Sequence, residues 1–238
     1  MLRDKAIMIT GASRGLGKAL ALACAQEGAS LVISSRDAGS LDPVAEEVEG
    51  VGVTEVLAIP ADISRRTHVE TLVRATVEQF GQIDVLINNA GLLGPRVPIE
   101  EYPEDEWRKV LEANLTGPFL LTKSTIPHMP EGGSIINVTS GVSIEGRARW
   151  GAYSVSKFGI ESLTQILAAE LEERSIRVNS VDPGSMRTEM RAAAYPDEDP
   201  DTLITPEENT EVFLYLASDE SKDVTGERFR AQEFQRAP

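Results

Sequence analysis

Ala6-Ile7-Met8-Ile9-Thr10-Gly11-Ala12-Ser13-Arg14-Gly15-Leu16-Gly17 runs from a short apolar stretch straight into a glycine-punctuated turn and on into a helix-forming segment. In a strand, turn and helix joined this way, the backbone N–H groups of the turn and the positive end of the helix converge into a seat for a phosphate. Glycine is needed wherever a side chain would hold the ligand off the backbone. The spacing Gly11-x-x-x-Gly15-x-Gly17 differs from the commonest G-x-G-x-x-G form, but strand and helix flank it in the right order. Ser13 and Leu16 fill the turn, and Arg14 adds a cation to it.

Outward from this unit, short apolar runs alternate with longer helix-period segments to the end of the chain. That pattern belongs to an α/β fold, a doubly wound parallel sheet with helices on both faces. Strands are predicted at Ala6–Thr10, Ser30–Ser34, Glu55–Ile59, Asp84–Asn88, Ser134–Thr139, Ile176–Val181 and Thr225–Arg230, seven in all. Helices are predicted near Gly15–Glu27, Leu41–Glu49, Ser64–Phe80, Glu104–Thr125, Gly151–Glu173 and Pro206–Ser218. The last opens on Thr205-Pro206-Glu207-Glu208, where Thr205 caps, Pro206 fits the first helical position and Glu208 completes a capping box. No repeat or low-complexity tract breaks the alternation, so a single domain is expected over 1–238, with a cofactor half to about residue 125 and a catalytic and substrate half from about 126. From Thr188 to Ile204 the chain is irregular, with two prolines and clustered acids after a strand's carboxyl end. It reads either as a lid over the ligand edge of the sheet or as a plain solvated loop.

The 238 residues suffice for one sizeable core, because single α/β domains commonly run to about 250 residues. Lys and Arg total 23 against 38 Asp and Glu, a net charge of −15 that disfavours nucleic acid and anionic lipid as partners. Cys24 is alone, which excludes an internal disulfide, and its Ala-rich surroundings make it a small buried apolar residue. His68 and His128 are too few and too separated for a metal site, so no metal is expected. The apolar run near Met1 is too short for a signal or a membrane span, and a cytoplasmic location follows as the expectation.

The second strand, Leu31-Val32-Ile33-Ser34, ends where a dinucleotide fold reads the adenosine ribose, usually with an acid. Ser35 and Arg36 stand there instead. Without a carboxylate to repel it a 2′-phosphate is tolerated, and a guanidinium grips it in charge-assisted hydrogen bonds, so NADP(H) is favoured. Arg14 offers a second cation, whereas Asp37 keeps NAD(H) open as the alternative. Asp62, with Ile63 beside it, follows the third strand at the same sheet edge and can accept from the adenine amino group. Asn88-Asn89-Ala90-Gly91 follows the fourth; an amide there either ties strand ends together or contacts the ribose.

Taken together, Thr10–Gly17, Asn88–Gly91, Asn114, Ser140, Tyr153-x-x-x-Lys157 and Pro183-Gly184-x-x-x-Thr188 resemble the short-chain dehydrogenase/reductase family, classical type, over nearly the whole chain. The resemblance implies a Rossmann-type seven-stranded sheet, NAD(P)-dependent interconversion of a carbonyl and an alcohol, and a homodimer or homotetramer. It assigns Asn114, Ser140, Tyr153 and Lys157 as a catalytic tetrad, with Asn89, Ala90 and Gly91 lining the cofactor and Pro183, Gly184 and Thr188 holding its nicotinamide half. The C-terminus departs from the family pattern: Thr225-Gly226-Glu227-Arg228-Phe229-Arg230 replaces the usual hydrophobic segment with paired glycines.

Hydride reduction of a carbonyl leaves a developing alkoxide, which needs a proton donor and fixed hydrogen bonds aimed at the oxygen. Tyr153 is the expected donor. A free phenol titrates near about 10; an ammonium about 4 Å away is worth roughly 4 kcal/mol at an effective dielectric near 20, enough to lower it by up to about three units. Lys157, four residues on along one helix face, supplies that ammonium and can also donate to the nicotinamide ribose. Ser140, closing the fifth strand, would polarise the carbonyl; no histidine or G-x-S-x-G elbow makes it a nucleophile. Asn114 interrupts a long helix and would hold a water that relays protons to Lys157. Trp150 either walls an apolar substrate or packs under the loop. Arg147, Arg149, Arg187 and Arg191 either bind a substrate anion or neutralise Asp197, Glu198, Asp199 and Asp201. The small-molecule substrate is left open between a 3-oxoacyl thioester and a general ketone, aldehyde or sugar, and the rival class is a cofactor-binding regulator without turnover.

Overall fold

The computed structural model describes residues 1–51 and 55–236. Seven parallel strands form one sheet: β1 (Ala6–Thr10), β2 (Ser30–Ser35), β3 (Val56–Pro60), β4 (Val85–Asn88), β5 (Ser134–Val138), β6 (Arg177–Asp182) and β7 (Arg228–Arg230), in the order β3-β2-β1-β4-β5-β6-β7. The strand order reverses between β1 and β4, and loops leaving their carboxyl ends diverge there into a crevice. The helices are α1 (Gly15–Gln26), α2 (Asp42–Gly50), α3 (Arg66–Phe80), α4 (Glu104–Leu111), α5 (Gly117–Thr125), α6 (Gly151–Glu170), α7 (Glu189–Ala194) and α8 (Glu211–Ala217).

Side chains alternate across a strand, so each face of the sheet collects its own core. Ile7, Ile9, Leu31, Ile33, Val85 and Ile87 face Leu16, Leu20 and Cys24 of α1, Val44 and Val48 of α2, and Val212, Phe213 and Leu216 of α8. Met8, Val32, Leu86, Ile135 and Val178 face Val69, Leu72 and Val73 of α3, Leu121 of α5 and Leu167 of α6. Cys24 is fully buried, and burial pushes its thiol up to about 12. No helix among the described residues is long and apolar enough to cross a membrane.

Four predicted elements are corrected. The Glu104–Thr125 helix is divided by a π-helical stretch at Glu112–Thr116, in which the Gly117 N–H reaches back to the Glu112 carbonyl; buried Asn114 lies at its centre. The final helix starts at Glu211 rather than Pro206. The capping box does form, Thr205 N donating to Glu208 Oε2 at 2.8 Å, but it closes on a 3-10 turn at Glu207–Asn209. The acidic segment is not all loop: Thr188 caps α7, its Oγ1 accepting from Arg191 N at 3.2 Å. The last strand shortens to Arg228–Arg230, because only those residues keep register with Ser180–Asp182 of β6.

Candidate active site

Gly11 and Gly15 have φ of +66° and +53°, and a Cβ on Gly17 would lie 2.2 Å from the Gly11 carbonyl oxygen. The turn therefore requires glycine on backbone grounds alone. Arg14, the residue before α1, makes no side-chain cap, and the first turn of α1 holds no acid. Its N–H groups stay available to an anion, so the turn fits a pyrophosphate. Thr188 closes the cradle from the other side, its methyl 3.5 Å from where a Gly15 Cβ would stand. Asn89 is a strut: its Nδ2 donates to the carbonyls of Thr10 at 2.8 Å and Gly11 at 3.1 Å. Ala90 N donates to Thr10 Oγ1 at 3.1 Å, which ties the β4 loop to the turn.

The ribose end sorts the candidate charges. Arg36 is exposed beyond β2. The Asp37 carboxylate is turned into its own loop, accepting from Ser40 N at 3.0 Å. Arg14 pairs with Glu189 on the surface, which removes it as the free second cation. Asp62 accepts from Ser64 N at 3.1 Å and Ser64 Oγ at 2.7 Å, so one of its oxygens is spent on a local turn. Ile63 is buried and wedges against Gly117 at the start of α5.

At the carboxyl ends of β4, β5 and β6 the structure brings together Asn114, Ser140, Tyr153 and Lys157. Extended backbone at Ser140 lets it cap a 3-10 turn at Gly141–Ser143, and its hydroxyl bonds the Tyr153 phenol. Burial, the larger effect, pushes that phenol up to about 12; the Ser140 bond works against it and the charge of Asp182 adds to it. Lys157 is also buried, and burial pulls its ammonium down to about 8 against the charges of Glu161 and Asp182. Its Nζ donates to the Val138 carbonyl at 2.7 Å and lies 5.7 Å from the Tyr153 ring centre. In the protein alone the phenol is raised, not lowered. The Asn114 side chain is engaged at both ends: Oδ1 accepts from Leu92 N at 2.7 Å, and Nδ2 donates to Leu92 O at 2.8 Å and Ser156 Oγ at 3.2 Å. It braces the loop after β4, while Oδ1 keeps a second lone pair.

Behind these residues lies a charge cluster that single-residue motifs did not reveal. Arg228 of β7 reaches Glu161 Oε1 at 3.1 Å, Asp182 Oδ2 at 2.8 Å and the Ser140 carbonyl at 3.3 Å. Glu161 also accepts from Ser143 at 2.8 Å and Ser180 at 2.7 Å. The clue was Glu161, one turn beyond Lys157 on an otherwise buried helix face. Gln232, from the unusual C-terminus, donates to the carbonyls of Pro183 at 3.0 Å and Ser185 at 2.8 Å; it fills the space beside Gly184, whose φ is +69°.

On the substrate side, Trp150 is both packed and a wall, its ring 5.6 Å from that of Tyr153 and 6.2 Å from that of Tyr195. Arg191 and Arg187 are neutralised by Glu198 and Asp201, at 2.5 Å and 3.3 Å, and Arg147 and Arg149 point to solvent. None of those four arginines is a buried anion seat.

The family model described as short chain dehydrogenase matches residues 5–199. The 3-oxoacyl-[acyl-carrier-protein] reductase of Thermotoga maritima is 37% identical over 238 residues, covering 95% of each chain. The trans-4-hydroxycyclohexanecarboxylate dehydrogenase of Sinomonas cyclohexanicum is 38% identical over 232 residues, 94% of this chain and 89% of that one. A crystal structure of a short-chain dehydrogenase from Shigella flexneri, complexed with NADP, superposes with a TM-score of 0.91 at 34% identity over 97% of this chain and 98% of that one.

Proposed function

The chain belongs to the short-chain dehydrogenase family, and from that premise we propose an NADP(H)-preferring reductase that turns a small carbonyl compound into its alcohol with Tyr153 as the acid. It is an oxidoreductase of CH–OH groups. The observation that carries the proposal is the meeting of Ser140, Tyr153 and Lys157 at the sheet edge beside the Gly11–Gly17 turn. When bound, the nicotinamide supplies the hydride. Gly11, Ser13, Gly15, Leu16 and Gly17 would hold its pyrophosphate, Arg36 its 2′-phosphate, and Pro183, Gly184 and Thr188 its nicotinamide side.

Each residue then has a defined task. Ser140 donates toward the substrate oxygen and holds the phenol in line with it. A phenol near about 12 is fully protonated at neutral pH, and it yields its proton readily only to a stronger base; a developing alkoxide is one. A lysine near about 8 is still mostly cationic at neutral pH. Held beside the phenol ring, 5.7 Å from its centre, such a cation stabilises a phenolate.

The preference for NADP(H) over NAD(H) rests on Arg36 standing exposed beyond β2 while Asp37 is held by Ser40, and the NADP complex of the Shigella relative agrees with it. The acyl-thioester reductase among the relatives keeps a 3-oxoacyl thioester as the second substrate reading. Exposed Phe119 of α5 and Val155, Phe158 and Ile166 of α6 support a homodimer through these helices; a monomer by sedimentation at micromolar concentration would remove that. The main test follows NADPH and NADH oxidation against a panel of ketones, aldehydes and thioesters, with Tyr153→Phe as the control. Loss of about a thousandfold or more in kcat for Tyr153→Phe, with NADPH affinity kept, is expected; wild-type turnover by that variant would overturn the assignment.

A further inference from the structure

Beside the catalytic phenol, the loop after β4 carries Arg96 into the seam between Trp150 and Tyr195. Its guanidinium carbon lies 4.5 Å from one ring centre and 4.7 Å from the other. Trp150 packs in turn on Tyr153, so the guanidinium and the phenol are one indole apart. Two aromatic faces hold the guanidinium plane in place, and Nη1 donates to the Ala194 carbonyl. Nε, by contrast, is buried with no partner, and no carboxylate lies within ion-pair distance of this side chain among the described residues.

Arg191 shows what the same chemistry looks like when completed. It too lies over Tyr195, at 3.9 Å, and it offers Nε and Nη2 as a fork to the two Glu198 oxygens, each at 2.5 Å. That edge is the one a guanidinium uses to take a carboxylate bidentately. On Arg96 the same edge has no protein partner. An unpaired donor out of water is costly, and a chain with 38 acids has no shortage of internal counterions. Its place beside the reacting group makes a ligand the natural partner.

We propose that Arg96 is the specificity anchor for a carboxylate on the substrate, and that the compound turned over is an oxo acid whose apolar middle lies against Trp150. This rests on the carbonyl reduction proposed above and narrows its substrate class. The carboxylate and the carbonyl would sit at separate points of the molecule, because the two protein groups that meet them both pack on the Trp150 ring.

The test pairs oxo acids of graded length, from 4-oxopentanoate to 7-oxooctanoate, with their methyl esters, which differ only in charge at the far end. With NADPH, the wild-type protein should prefer one acid over its ester by about 10- to 100-fold in kcat/KM, mostly through KM. In Arg96→Leu the preference should vanish; Arg96→Lys, keeping charge without the fork, should restore only part of it. Thermal melts of the variants control for folding. A second readout needs no turnover: titration of pentanoate to octanoate into the NADPH-bound protein, wild type and Arg96→Leu. Equal use of acid and ester, or acid binding that survives Arg96→Leu, overturns the anchor. Failure to reduce any carbonyl while carboxylates still bind through Arg96 would instead overturn the reductase reading and leave the anchor standing.

Discussion

Replacing Arg228 by Met tests the charge cluster behind the site. Arg228 bridges two carboxylates whose side chains are only 12% and 10% exposed, at 3.1 Å and 2.8 Å. Removing one member of a buried ion pair costs about 3–5 kcal/mol when the other is stranded. Here Glu161 keeps bonds from Ser143 and Ser180, and Asp182 keeps one from Gly184 N, so a cost about 1 kcal/mol below that range, about 2–4 kcal/mol, is expected. For a chain of this size each kcal/mol moves the melting point by about 2–4 °C, which gives a drop of about 5–15 °C. Melting followed by circular dichroism at pH 7, with Glu161→Gln/Arg228→Met as the second arm, reads this; the double variant should recover part of the loss. A single variant melting within about 2 °C of wild type at pH 7, as an ordinary surface change would, refutes the reasoning.

Three further outcomes follow from the site. Gly17→Ala drives a Cβ to 2.2 Å from the Gly11 oxygen and should abolish NADPH binding measured by fluorescence, even where the variant folds. Arg36→Ser should weaken NADPH by about 10-fold or more while leaving NADH nearly unchanged; an equal effect on both would break the link to the 2′-phosphate. Since Lys157 loses its proton near about 8, kcat/KM for reduction should be level below that pH and fall above it, whereas alcohol oxidation should rise with pH as the phenol near about 12 begins to ionise. A reduction profile flat to pH 10 would mean that the lysine charge does no work.

The parallel sheet was legible because β1, β4 and β5 are buried throughout and read as mainly apolar runs. The site motifs were legible because Gly17 and the Tyr153–Lys157 pair depend on backbone geometry and one helical turn, both local properties. What escaped was set by tertiary contact. Helical spacing puts Lys157 on the Tyr153 face but cannot tell that its ammonium also donates to the Val138 carbonyl. The final helix was lengthened on a capping box that closes a separate turn. Arg228, Gln232 and Arg96 carry no motif, and their partners lie far off in the chain, so only the folded arrangement exposes them.

Gln232 makes the order of synthesis matter. It fastens the carbonyls of Pro183 and Ser185 beside Gly184, yet it is made long after the glycine turn. Chains fold as they emerge, amino end first. The Gly11–Gly17 turn can thus form early, whereas the wall at Pro183–Ser185 is fastened only once the residues after β7 have been made.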